Sequence, residues 1–254
     1  MRRLILLTTA LGFTVSMALT ASTAFGGGLG TMTDAERTEF RAEVRQYLLD
    51  NPEVIMEAMK VLQDKQDKAA ADHDQMILSS NMDIIQNDPN SWVGGNPDGN
   101  ITVVEFMDYR CGYCRKAYSE VADLVKSDGN IRFVVKEFPI LGDDSIASSR
   151  FAIAMRLLHG DEAYQKVHDE LIALRGTPDA DTLGRLAVKM GYDAQPLLDM
   201  MNDDKVTAII SANHALATQL NITGTPTFVI DQALLRGYLP EDDMRKIVEE
   251  QRAS

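Results

Sequence analysis

The 254-residue chain has two cysteines, Cys111 and Cys114, and they stand three apart in YRCGYC. Such a pair can be a disulfide staple, half of a metal clamp, or a redox reagent. As a staple it contributes little, because a bond closing a four-residue loop removes roughly 2 kcal/mol of unfolded-state freedom. The four histidines, His73, His159, His168 and His214, show no metal-ligand spacing with one another or with the cysteines and read as surface or helix residues. Thirteen methionines could suit Cu(I), but they are spread over helical positions and read as core packing.

The compartment decides which cysteine chemistry is available. The first residues, MRRLILLTTALGFTVSMALTASTAFGGG, combine two arginines, an apolar run from Leu4 to Leu19, and small residues at Ser22 and Ala24. That is the pattern of a secretory signal peptide over 1–24, cleaved before Phe25. A retained membrane anchor is the rival reading, but the run is short of a span and diluted by Thr8, Thr9, Thr14 and Ser16. Export places the cysteines in an oxidising compartment, here expected to be the periplasm. The formal charge is −13, and −15 once the leader's two arginines are gone, which excludes nucleic acid as a partner.

The elements that must position the pair follow from periodicity. After a glycine-rich joint at 26–30, residues 33–86 read as a helical extension. Thr33 or Asp34 can cap its first helix, Pro52 divides it, and Ile55, Met59, Leu62, Ala69 and Met76 mark its second helix. The extension, 25–87 with its joint, suits an arm folded on its own domain or an oligomerisation stalk. DPNSWVGGNPDGN, 88–100, is dense in turn formers and marks a boundary to a compact domain over 88–254.

Within that domain ITVVEFMDY, 101–109, predicts a buried strand with the cysteine pair directly after it, and 115–125 predicts a helix. A second strand at 131–140 leads to a helical insert at about 144–220, broken near Gly176–Pro178 and at Gly191. TPTFVI and ALLRGYL then predict an antiparallel hairpin, and Pro240 opens a last helix. The fold class is therefore α/β with an inserted helical subdomain. A CxxC at the junction of strand and helix places a thiol where the helix N-terminus lowers its pKa.

VVEFMDYRCGYC, the KEFPIL element at 136–141 and GTPTFVI at 224–230 together resemble the DsbA family of exported, thioredoxin-fold thiol:disulfide oxidoreductases. The helical extension is most similar to the branch that includes ScsC and Com1-like proteins. The resemblance covers about Trp92 to Gln251 well and the extension more loosely.

It implies that Cys111 is an exposed nucleophile and that Cys114, more buried, resolves the mixed disulfide, with no cofactor beyond the redox-active Cys111–Cys114 disulfide. Gly112 and Tyr113 lie between them and with Thr225 and Pro226 form the substrate-binding surface. Strongly oxidising relatives carry a histidine where this chain has Tyr113, so the thiolate is expected to rest mainly on the helix end and to be less oxidising. Pro226 matches a cis proline, and Thr225 before it leans away from a pure oxidase. Glu105 matches a buried acid near the resolving cysteine that takes its proton, the alternative being an edge-strand carboxylate in solvent. Lys136 could pair with it.

The expected activity is formation, reduction or isomerisation of disulfides in unfolded or misoxidised secreted proteins, recycled by a membrane partner of DsbB or DsbD type. The alternative is a periplasmic chaperone or Cu(I)-binding thiol protein using the same cysteines. A homo-oligomer through residues 33–86 would favour isomerisation.

Overall fold

The computed structural model describes residues 32–253, so the expected leader lies outside the described residues. The chain forms two compact units, the first ending at Gln63 and the second starting at Asp64.

In the first unit α1 (Asp34–Asp50) opens on a capping box: Thr33 Oγ1 accepts from the Glu36 N–H, and the Glu36 carboxylate accepts from the Thr33 N–H at 2.8 Å. Asn51 ends α1, and α2 (Glu53–Gln86) starts directly after Pro52. No residue of α1 is buried, and Phe40, Val44, Tyr47, Ile55, Met59 and Leu62 stand exposed.

In the second unit the last turns of α2 bury Leu78 and Ile85 completely among Val104, Phe106, Val134 and Phe138. The sheet has the order β1-β3-β2-β4-β5. Its strands are β1 (Trp92–Gly95), β2 (Ile101–Met107), β3 (Ile131–Glu137), β4 (Thr227–Ile230) and β5 (Ala233–Arg236). β2 and β3 run parallel, joined by α3 (Gly112–Asp128), while β4 pairs antiparallel with β2 and with β5 as the expected hairpin. Every residue of β2 is buried, as expected for a central strand covered on both faces.

The turn-rich boundary segment also contains β1. Only Trp92 and Val93 favour a strand there, and antiparallel pairing of Trp92 with Val135 supplies the rest. Gly94 is required beside them, because a Cβ would stand 2.2 Å from the Trp92 ring. The helical insert consists of α4 (Asp143–His159), α5 (Asp161–Ala173), α6 (Ala180–Lys189), α7 (Ala194–Met200) and α8 (Asp204–Gln219), and α9 (Glu241–Arg252) closes the chain. The expected breaks near 176–178 and at Gly191 are present. A further break falls at Gly160, whose φ of 84° suits glycine. Among the described residues no helix is long and apolar enough to cross a membrane.

Candidate active site

β2 delivers the chain to α3 through Asp108, Tyr109 and Arg110, and the polar atoms of this short link hold its shape. Asp108 is fully buried. Its Oδ1 accepts from the Arg110 N–H at 2.7 Å, and its Oδ2 accepts from the N–H groups of Ile140 and Leu141 at 2.8 and 3.1 Å. The KEFPIL segment thus serves the site through its backbone. The Asp108 carbonyl accepts from the Cys111 N–H, which places Cys111 at the N-cap of α3.

Cys111 does not project from the surface as expected. It is 7% exposed, and its thiol donates to the Thr225 carbonyl at 3.1 Å. Cys114, one turn along, is 1% exposed, and both are free thiols. The two sulfurs differ sharply in acidity. Cys111 is drawn down to about 5, first by a hydrogen bond from Cys114, and further by the N–H groups of Cys114 and Tyr113, which together outweigh its burial. Cys114 is pushed far above the thiol range by that same bond, then by burial, then by the Glu105 charge. The helix end therefore contributes to the thiolate, but the partner thiol contributes more. Tyr113 offers its N–H while its ring, 63% exposed, stacks on Tyr238 with centroids 6.2 Å apart. Gly112 is exposed beside it.

The Thr225–Pro226 peptide bond is cis, and the Pro226 carbonyl accepts from the Gly237 N–H at 2.9 Å, which anchors this loop to the end of β5. Thr225 is half-buried over Cys111, and Pro226 is buried.

Glu105 lies mid-β2 between Val135 of β3 and Phe228 of β4, so it is no edge residue. It is 5% exposed, and burial raises its carboxyl to about 8, with the Cys111 and Glu137 charges adding to the rise. It lines a cleft of about 970 Å³ shared with Trp92, Tyr118, Phe133 and His168.

Lys136 does not pair with Glu105. Its Nζ bonds the Asp88 Oδ2 at 2.8 Å and the Ile84 carbonyl at 3.0 Å. In the parallel register Lys136 stands opposite Phe106, one residue past Glu105, and neighbours along a strand face opposite sides.

The sequence reading assigned no role to Asp108, Tyr109, Glu137 or His168. Glu137 is a buried carboxylate whose Oε1 accepts from Tyr109 at 2.8 Å and Tyr164 at 2.6 Å, and whose Oε2 accepts from Ser149 at 2.7 Å. Burial raises it to about 7 against those three bonds. His168, buried on α5 and drawn down to about 4 by that burial, meets the Tyr109 hydroxyl through Nδ1 at 2.9 Å. Since the Tyr109 proton goes to Glu137, Nδ1 of the neutral ring carries its own proton and donates. This network ties the residue two before Cys111 to the helical insert.

A thioredoxin-type sheet, a CxxC at a helix N-terminus and a facing Thr–Pro turn define a thiol-exchange protein class. The thioredoxin family model matches residues 86–250, and the model of the copper resistance protein ScsC N-terminal domain matches residues 36–69. A thioredoxin-like oxidoreductase from Silicibacter pomeroyi DSS-3 is 40% identical, with a TM-score of 0.64 over 68% of this chain and 98% of that one. ScsC of Proteus mirabilis in a transitional conformation is 27% identical, with a TM-score of 0.64 over 88% of this chain and 98% of that one. The thiol:disulfide interchange protein DsbC of Escherichia coli K12 is 24% identical over 155 residues, 61% of this chain and 53% of DsbC. The chain thus spans about half the length of DsbC, and 21% of the length of Na(+)/H(+) antiporters that it also matches. The chain belongs to the thioredoxin family, among the DsbA-like thiol:disulfide oxidoreductases of ScsC type.

Proposed function

We propose that this protein is an exported thiol:disulfide oxidoreductase acting on disulfides of other secreted proteins, with the leader at 1–24 as its export signal. The observation that carries this reading is the placement of two free thiols one turn apart, Cys111 at the α3 N-cap facing the Thr225 carbonyl and drawn down to about 5, and Cys114 buried beneath it and pushed above the thiol range. In the reducing direction the Cys111 thiolate attacks a substrate disulfide and expels one substrate thiolate. Cys114 then loses its proton and attacks Cys111 Sγ, which releases the second substrate thiolate and leaves the Cys111–Cys114 disulfide. The oxidising direction is the reverse, and isomerisation returns the mixed disulfide to the substrate. Recycling by a membrane partner of DsbB or DsbD type completes the cycle.

A Cys111 thiol near 5 lies between thioredoxin at about 7 and the strongest oxidant at about 3.5. The pair is therefore expected to equilibrate with glutathione at roughly −180 to −230 mV, the range of isomerases and glutaredoxins. A value near −120 mV would mean a dedicated disulfide donor. Resistance below about −300 mV would make the pair a staple and end the exchange reading.

The exposed apolar side chains of the first unit favour self-association through residues 33–86, which would set several active sites around one substrate. Sedimentation of residues 25–254 against 64–254 tests this. The shorter form is cut at 64 because a cut at 88 would strip Leu78 and Ile85 from the core. Oligomer for the first and monomer for the second is expected, and monomers for both would refute it.

A further inference from the structure

Beside Cys111 two guanidinium groups converge on one backbone carbonyl, and a third arginine follows that carbonyl directly in the chain. Arg110 Nη1 and Arg115 Nη2 both point at the Leu174 carbonyl, at 3.5 and 2.8 Å, and Arg110 also bonds the Gly176 carbonyl at 3.0 Å. Arg175 lies between these two carbonyls in sequence, is exposed, and forms no ion pair among the described residues. The like charges press on one another: beyond its burial, Arg115 is made less basic by Arg110 and Arg175. Among the described residues only one of them forms an ion pair, Arg110 with Asp144 at 3.3 Å; Asp108 favours the Arg115 cation through its charge but is itself buried and bound to backbone N–H groups. On the other side of Cys111 the Lys116 ammonium stands 4.0 Å over the Tyr238 ring. A chain of net charge −13 has thus gathered cations around its nucleophile.

Cations held mainly by neutral carbonyls, with one ion pair among three guanidinium groups, make a surface that is completed by an incoming anion. We propose that the Arg110–Arg115–Arg175 rim recognises polypeptide substrates whose reacting cysteine is flanked by an acidic residue, the carboxylate docking against Arg115 and Arg175. This rests on the exchange reading of Cys111 and narrows its substrate class. It also gives an acidic protein a local means of drawing acidic chains to its sulfur, which its net charge alone would repel.

The test uses the full mature protein and two mixed-disulfide peptides that differ only in Asp or Lys beside the cysteine. Each rate is divided by that of the same peptide with dithiothreitol, which removes the effect of the flanking charge on the thiol itself. At about 0.01 M ionic strength the Asp peptide is expected to react roughly 3- to 10-fold faster. At about 1 M, where screening acts beyond about 3 Å, the ratio should fall toward one. Arg175→Glu should cut the low-salt ratio by about 3-fold or more, and Arg175→Lys should preserve most of it. Equal rates for the two peptides at low salt, or a preference that Arg175→Glu leaves unmoved, would overturn the proposal. Failure of both peptides to react would instead remove the exchange reading on which it stands.

Discussion

Replacing Glu105 by glutamine is expected to slow decay of the Cys111 mixed disulfide by about 10-fold or more, while making the protein more stable at alkaline pH. Both effects come from one buried proton. Once substrate is bound through Cys111, Cys114 must lose its proton before it can attack. Buried at 1% exposure beneath the loop, that thiol has the Glu105 carboxylate of β2 close enough that the carboxylate charge raises it. Glu105 can accept the proton only when ionised. In the reduced protein burial, then the Cys111 thiolate, holds it up to about 8, and the mixed disulfide removes the thiolate charge. The wild-type decay rate is therefore expected to climb with pH as Glu105 ionises, and the glutamine variant should lose that limb. Decay equal to wild type across the pH range would remove Glu105 from the reaction.

The stability change has the opposite sign. A carboxyl whose folded pKa lies above its unfolded value keeps a proton that the unfolded chain releases, so stability falls as pH rises from about 4.5 toward about 8. Glu137, held up to about 7, acts in the same direction over a narrower window. Below about 4.5 both states are protonated and neither group contributes. Glutamine cannot ionise, so Glu105→Gln should gain roughly 3 to 5 kcal/mol over wild type at about pH 9 and little at about pH 4. Urea unfolding at the two pH values measures the difference. A slower, more stable enzyme is the signature of a site that keeps a costly proton for use.

Sequence and structure agree where information is local and part where it is not. β2, the cysteine pair and the β4–β5 hairpin are legible because β-branched runs, a three-residue spacing and a turn each lie within a dozen residues. Cys114 below the surface follows from its place one turn into α3. The edge strand β1 is not legible, since its pairing with β3 crosses more than 30 residues and its own glycines argue against it. The same holds for polar partners. Glu137 collects its hydroxyls from Tyr109 of the β2–α3 link, Ser149 of α4 and Tyr164 of α5, and only the packed insert brings them together. The place of Cys111 at a helix N-terminus implies an exposed sulfur, but the Thr225 carbonyl, 114 residues away, covers it. The partner of Lys136 required knowing which side of β3 it faces, and alternation along one strand leaves that open until the register with β2 is set.

That lysine carries a stability effect as large as that of Glu105. Its side chain is fully buried, and its ammonium bonds a carboxylate that is 13% exposed. The two partners feel the bond differently. Burial disfavours the Lys136 charge more than Asp88 restores it, whereas for Asp88 the bonds from Lys136 and the Asn90 N–H overcome burial and hold the carboxyl below its usual range. The deeper partner decides the outcome, because it has no solvent to fall back on. Asp88→Ala leaves a buried ammonium with the Ile84 carbonyl alone and is expected to cost about 3 to 5 kcal/mol, a large share of the roughly 5 to 15 kcal/mol that a domain possesses. Lys136→Met should be far milder, neutral or stabilising, because Asp88 keeps the Asn90 N–H at 2.9 Å and the Ser91 hydroxyl at 3.0 Å while methionine fills the space. The double variant should recover most of the Asp88→Ala loss, since it removes the stranded charge. Urea unfolding of the three variants measures all of this, and an Asp88→Ala cost below about 1 kcal/mol would mean that Lys136 reaches water or sheds its proton instead of enduring the loss.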